Sequence, residues 1–225
     1  MNRNLVKTSA LLILTSALST GCIIHVGGGH GDNGEVSSIL GSLEVGEGKH
    51  VTDVSSVNGD VSLMDSVTAA NVSSVNGSMA IGNHVSLHSL DTVNGSIETG
   101  HHFMAQGSVS TVNGDINILA DSMVKGSLST VNGDIKLNNV TVAGDISTNS
   151  GSITLSNHST IAGDIVFEPR NKSTWGWEHG NHTVSSLTIE TGSMVEGRII
   201  LNQKVDLNIE NKQLMNKVEY HKAKK

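Results

Sequence analysis

The tripeptide Val-Asn-Gly occurs five times, ending at Gly59, Gly77, Gly95, Gly114 and Gly133, so successive copies stand 18, 18, 19 and 19 residues apart. A degenerate copy, Asn149-Ser150-Gly151, follows at a further step of 18, and Ile39-Leu40-Gly41 precedes the first copy by the same interval. Each unit opens on an aliphatic residue: Val36, Val54, Val72, Leu90, Val109, Leu128, Ile146 and Ile165. Small polar residues follow, then Val-Asn-Gly, then Asp or Ser, then another aliphatic, as in VSSVNGDVSL and LSTVNGDIKL. A period this short is below the roughly 30 residues of a βαβ unit and the roughly 40 of a propeller blade. No 3.6-residue periodicity persists, and the alternating β-branched stretches read as strands.

Two architectures meet that period. Each unit can be a hairpin turning on Asn-Gly, the strongest short hairpin signal, or one coil of a parallel β-helix stacked on the next at about 4.8 Å. Folding VSSVNGDVSL on a two-residue turn sets Ser56 against Val61 on one side and Val57 against Asp60 on the other, so the apolar residues share no face. Stacking coils in register instead aligns Asn58, Asn76, Asn94, Asn113 and Asn132, whose amides can bond along the stack as in other Asn ladders. Gly59, Gly77, Gly95, Gly114 and Gly133 are expected beside them as corners of positive φ. Two internal aliphatic columns are expected: Val57, Val75, Val93, Val112 and Val131, and Val61, Met79, Ile97, Ile116 and Ile135. The expected fold is therefore all-β, a single-stranded parallel β-helix of 18–19 residues per coil. No aliphatic-Gly motif recurs every six residues, which favours a right-handed coil over the hexapeptide left-handed form.

Residues 36–210 form this solenoid, with one interruption. The segment EPRNKSTWGWEHGNHT after Phe167 breaks the pattern, so a loop is expected at 168–183. It holds the only proline, Pro169, and both tryptophans, Trp175 and Trp177. Residues 211–225 are polar and read as a cap or tail, since solenoids need polar ends to cover open edges.

The first 21 residues read as an address. Arg3 and Lys7 precede a short apolar run from Leu11 to Leu18, and Ser19-Thr20-Gly21 leads to Cys22, the only cysteine. This is a secretory leader, too short to span a bilayer. It resembles a bacterial lipoprotein signal, although Ser19 stands where such signals usually carry Leu. The resemblance implies cleavage before Cys22, acylation of its thiol and amine, and, with Ile23 following, retention at the outer membrane. Multiple acyl chains would anchor the chain stably without a membrane helix. The other reading is ordinary cleavage after Gly21 and a periplasmic chain. Residues 22–35 continue as a Gly/His-rich stretch expected to act as a flexible spacer.

The repeated S-T-V-N-G-D-I unit resembles the adhesin-like β-strand repeats of bacterial envelope proteins of unknown function, and the whole resembles proteobacterial lipoproteins with tandem T-V-N-G units. The Val142–Ile146, Val124–Leu128 and Ile161–Ile165 phrases are similar, more distantly, to bactofilin β-helices. The resemblance spans about 36–203. It implies a fold and an envelope location, and supplies no catalytic residue.

Composition narrows the functional classes. A formal net charge of −7 opposes nucleic-acid binding. Aromatic residues make up 2%, too few for a stacking groove. A single cysteine excludes a disulfide framework. Lipid-facing aromatic girdles are missing, which argues against a membrane barrel. The carboxylates after Asn-Gly, at Asp60, Asp115 and Asp134, could serve acid–base or calcium chemistry, but Ser78, Ser96 and Ser152 interrupt the column and Asp is an ordinary turn residue. His84 and His102 fall at the same place in adjacent coils and could share Zn²⁺ or Cu²⁺, or be exposed corner residues. Trp175 and Trp177, with His179 and His182, could form a partner-binding loop or fold back as packing. No nucleophile elbow, phosphate loop or His-Glu-x-x-His is present. The expectation is a non-enzymatic, lipid-anchored envelope protein without a cofactor, joined to the membrane through its lipid, serving as a scaffold or adhesin-like surface toward envelope components or further copies of itself. The alternative is a polysaccharide-binding or polysaccharide-active β-helix.

Overall fold

In the computed structural model, residues 24–26, 34–169 and 184–221 are described. Every strand pairing among them is parallel, and the strands assemble into three sheets of ten, ten and six strands. The chain winds through the three in turn, making a β-solenoid of about nine turns. Its first face is built from the strands that carry Val-Asn, such as Val54–Asn58, Val109–Asn113 and Leu128–Asn132. The second face follows Gly and holds three- to five-residue strands such as Val61–Leu63 and Ile116–Ile118. The third has fewer and shorter strands and begins further along the chain, with strands such as Ser86–Leu87 and Ser122–Val124. A one-residue slip would turn each strand inside out, and the register holds throughout: Val109 lies beside Leu128, and Ile116 beside Ile135.

The interior is aliphatic. The column Val61, Met79, Ile97, Ile116 and Ile135 is buried as expected, as is the column of unit-opening residues Val54, Val72, Leu90, Val109 and Leu128. Each such side chain gives roughly 1.5–3 kcal/mol on full burial. The chain's two phenylalanines, Phe103 and Phe167, are both in this core.

The valine of Val-Asn-Gly is not in the core, contrary to expectation. Val57, Val75, Val93, Val112 and Val131 are 38–42% exposed. Strand alternation explains this: with Val54 inward, Ser56 is inward and Val57 outward. The inward place is filled by Ser74, Thr92, Thr111 and Thr130, whose hydroxyls donate to the carbonyls of Gly59, Gly77, Gly95 and Gly114 in the preceding coil. Those bonds at 2.9–3.4 Å make a buried hydroxyl tolerable where a sequence reading looks for an aliphatic.

The glycines also act differently from the expectation. Gly41, Gly48 and Gly192 are the described glycines with positive φ, so the Val-Asn-Gly corners are not left-handed. A Cβ on Gly77, Gly95, Gly114 or Gly133 would instead overlap the carbonyl oxygen of the glycine one coil before. Close stacking of corners, and not backbone freedom, excludes every other residue. Left-handed backbone appears at the next corner, at Ser66, His84, His102, Asp121 and Asn139, with φ between 53° and 62°. Asn, Asp and His are the non-glycine types enriched there.

The difference between 18 and 19 residues is absorbed in corners. Leu87 aligns with Ala105 and Leu90 with Val109, so the third corner gains one residue at Gln106–Ser108 while both flanking strands keep register. The interruption is placed likewise. Ile165–Phe167 completes its first-face strand, and the chain re-enters on the second face at Ser185–Ile189. The 168–183 segment thus replaces an Asn-Gly corner.

Both ends depart from the expected boundaries. Ile24–Val26, within the expected spacer, pairs with Leu43–Val45 as an extra strand on the second face. At the other end the solenoid continues past 210. The 3-10 helix Lys212–Lys217 buries Leu214 against the last coil, and Val218–Tyr220 then adds a strand beside Ile199–Leu201. Lys212 and Lys217 donate to the carbonyls of Ile209 and Glu196, closing the end. Among the described residues no helix is long and apolar enough to cross a membrane.

Candidate functional surface

Each corner carries a polar ladder, and these ladders hold most of the residues with chemical potential. At the first corner Asn76, Asn94, Asn113 and Asn132 each donate from Nδ2 to the Oδ1 of the asparagine one coil before, at 2.8–3.0 Å. The Asn ladder expected from the repeat is therefore formed. Two places on, the Asp/Ser column accepts backbone hydrogen bonds. The Ser78 N–H donates to Asp60 at 2.8 Å, Asp134 N–H to Asp115 at 2.8 Å and Ser152 N–H to Asp134 at 2.8 Å. Ser78 and Ser96 accept in the same way from Ser96 and Asp115. A serine hydroxyl and an aspartate oxygen do the same work, which explains why the two alternate. Asp60, Asp115 and Asp134 each thus accept, through one carboxylate oxygen, a backbone N–H of the coil that follows.

The second corner repeats the device. Asp65 accepts from the backbone and side chain of Asn83, and these bonds, with His84 nearby, hold its carboxyl below the usual range. Asn83 in turn accepts from the His101 N–H. At the third corner Asp145 accepts from the Asp164 N–H at 2.8 Å, and Asp164 from the Arg198 N–H at 2.7 Å. Arg198 ends that column by turning its guanidinium back on Asp164 at 2.7 Å. This contact depresses the Asp164 pKa and raises that of Arg198. Glu219, 3.8 Å from Arg198, joins the cluster from the last strand.

The structure brings His84 and His102 together. Their rings stack with centroids 4.6 Å apart and planes inclined by 30°. Stacked rings run their in-plane nitrogen lone pairs side by side and do not converge them on one ion. Among the described residues, no group of three or more His, Cys, Asp or Glu is placed to hold a metal. The shared place of the two histidines follows from their left-handed corner, where φ is 56° at both. Cys22, Trp175, Trp177, His179 and His182 lie outside the described residues. The chain leaves the first face toward the tryptophans at Pro169, whose carbonyl accepts from Asn149, and returns at Val184.

The outside of the first face was missed by sequence reasoning. The register lines up Ile39, Val57, Val75, Val93, Val112 and Val131 as one exposed aliphatic row, ending at Asn149. Two residues away runs a second outward row: Ser37, Ser55, Ser73, Asp91, Ser110, Ser129 and Ser147. Counting alternation from the opening aliphatic of each unit, without favouring apolar residues for the interior, would have found both. Across the seven strands from Val36–Leu40 to Ile146–Ser150 the only charged residue is Asp91, which accepts from Ser110 Oγ at 2.6 Å. The second face instead presents Glu44, Glu98 and Lys136.

No protein-family model, curated protein or solved structure matches this chain.

Proposed function

We propose that this chain is a non-enzymatic lipoprotein of the bacterial cell envelope, anchored through Cys22, in which the β-solenoid is a rigid scaffold presenting repetitive, adhesin-like faces. The observation that carries the reading is the fate of the polar groups. The corner Asn, Asp and Ser side chains spend their hydrogen bonds on the neighbouring coil. Such bonds repeated along the stack support a stiff rod. The leader ending at Cys22 supports placement at the outer membrane, because acyl chains hold a protein to a bilayer without a helix.

A second reading, polysaccharide recognition, is favoured by one placement. The segment with Trp175 and Trp177 replaces an Asn-Gly corner, so it interrupts a regular edge. Paired tryptophans on a rigid support suit sugar faces.

The test is fractionation of cells expressing the chain, with the intact mass of the mature protein, against Cys22→Ser. An acylated N-terminus in the outer-membrane fraction, lost in Cys22→Ser, is the expected result. An unmodified, soluble periplasmic chain would overturn the anchored scaffold and turn attention to a free binding protein.

A further inference from the structure

The geometry points to a second copy of this chain as the partner of the first face, the two solenoids packing face to face and antiparallel so that their valine rows interdigitate. This inference is independent of the lipid anchor.

Three observations lead there. The first is period. Val57, Val75, Val93, Val112 and Val131 stand one per coil in unbroken register, at the ~4.8 Å spacing of parallel strands. The Asn ladder beside them holds that spacing. A periodic row of this kind is met along its length only by a partner of equal repeat, and a second copy has it by construction of the fold. Identical side chains on paired sheets then fit as a dry zipper.

The second is charge. Two copies of a chain with net charge −7 repel on average. At the charged fraction of the whole chain, 16%, about six charged residues would be expected in the seven first-face strands, but one is present. Asp91, the exception, is already hydrogen-bonded to Ser110. The first face is therefore where two acidic copies can meet with least repulsion. The third face, also uncharged along its strands, offers strands of only two or three residues.

The third is area. Five-residue strands give a width of about 17 Å, and the seven coils a length of about 34 Å. The flat footprint is about 570 Å² per copy before side-chain relief is added, against the roughly 800 Å² per partner of a standard stable interface.

Symmetry fixes the arrangement. A two-fold axis parallel to the strands keeps strand direction and reverses the solenoid axis, so row meets row and Val75 of one copy seats between Val75 and Val93 of the other. Such a contact is isologous and closes as a dimer without propagating.

Sedimentation of the full chain carrying Cys22→Ser, which removes both acylation and any intermolecular disulfide, tests this. The expected mass at tens of micromolar is twice the intact mass of one chain. Val75→Asp/Val93→Asp/Val112→Asp is expected to sediment as a monomer with unchanged circular dichroism and a melting temperature that no longer depends on protein concentration. Should that variant fold poorly, Val75→Thr/Val93→Thr/Val112→Thr keeps shape and exposure and is expected to raise the dissociation constant at least tenfold. Ser62→Asp/Ala80→Asp/Asn117→Asp, on the second face, is expected to remain dimeric. A monomeric parent at about 100 µM, a dimer that survives the folded valine variants, or one lost equally on charging the second face would each overturn the proposal.

Discussion

The carbonyl oxygen of Gly77 occupies the space that a Cβ on Gly95 would need, one coil above it. The same relationship joins Gly59 to Gly77, Gly95 to Gly114 and Gly114 to Gly133, so the corner is a column of glycines in backbone contact. Gly95→Ala must push two coils apart where Thr92 and Asn94 are bonded across the gap. Overpacking of this kind costs about 1–3 kcal/mol. Gly34, by contrast, meets no atom within 4 Å of an added Cβ. Gly34→Ala is expected to be neutral or slightly stabilising, because it restricts the unfolded chain. Thermal and urea melts of the two variants check the contrast. Equal stabilities would show that the coils are not in contact at this corner.

Thr148 continues the buried hydroxyl column, but its Oγ1 has no hydrogen-bond partner among the described residues. Its coil-to-coil equivalent Thr130 donates to Gly114 O at 3.0 Å. Valine has the shape of threonine without the hydroxyl, so Thr148→Val removes a desolvated orphan and is expected to stabilise by about 1 kcal/mol. Thr130→Val leaves the Gly114 carbonyl without this donor and is expected to be neutral or destabilising. A shift in urea midpoint at unchanged m-value reads both. Destabilisation by Thr148→Val would mean that its hydroxyl has a partner.

These two positions also show what was legible in the sequence. The period determined the class of fold, the strand register and the Asn ladder, because in-register stacking makes every coil repeat the contacts of the last. Which of Ser56 and Val57 faces inward was misread, since hydrophobicity was weighed above alternation. The compensating bond from hydroxyl to glycine carbonyl, made by Ser74, Thr92, Thr111 and Thr130 and not by Ser56, exists only between coils, so no single repeat displays it. The glycines were recognised as obligatory for the wrong reason: Gly95 is required by its neighbour at Gly77, which is invisible along the chain. The pairing of His84 with His102 was legible from spacing, and its cause, a left-handed corner shared with Ser66 and Asp121, was not. The aliphatic row from Ile39 to Val131 went unseen as a surface for the same reason that Val57 was placed inside.

Asp164 gives the solenoid an acid-sensitive end. Its carboxyl accepts from the Arg198 guanidinium and backbone, which lowers its pKa from the usual carboxylate value. Asp65 and Glu210 are lowered too, by bonds from Asn83 and Thr191 respectively. A lowered native pKa means that the unfolded chain binds the proton more readily. The stabilisation is full above the unfolded value near 4 and is lost as pH falls through the native one. The melting temperature is therefore expected to drop between pH 5 and pH 3. Asp164→Asn should lower it at pH 7 and flatten the drop. These groups are exposed, so the effect is modest and shrinks in salt. An acid drop of equal size in Asp164→Asn would remove the Arg198 contact from the account.

The Asn ladder allows a count of bonds. Asn94 donates to Asn76 and accepts from Asn113, each at 2.8 Å, while Asn113 also accepts from Asn132. Asn94→Ala removes two ladder bonds and Asn113→Ala two, but the double variant removes three, because one bond is shared. With about 0.5–1 kcal/mol per exposed amide bond, each single variant should cost about 1–2 kcal/mol. The double should cost less than the sum of the singles by the worth of one bond. Asn58, which accepts from Asn76 and stands above Leu40 in the column, should cost about half as much as Asn94 when replaced by alanine. A double-mutant cycle from equilibrium melts measures the coupling. Strict additivity would mean that the asparagines act one by one, each fitting its own corner, and that the ladder contributes no stability along the stack.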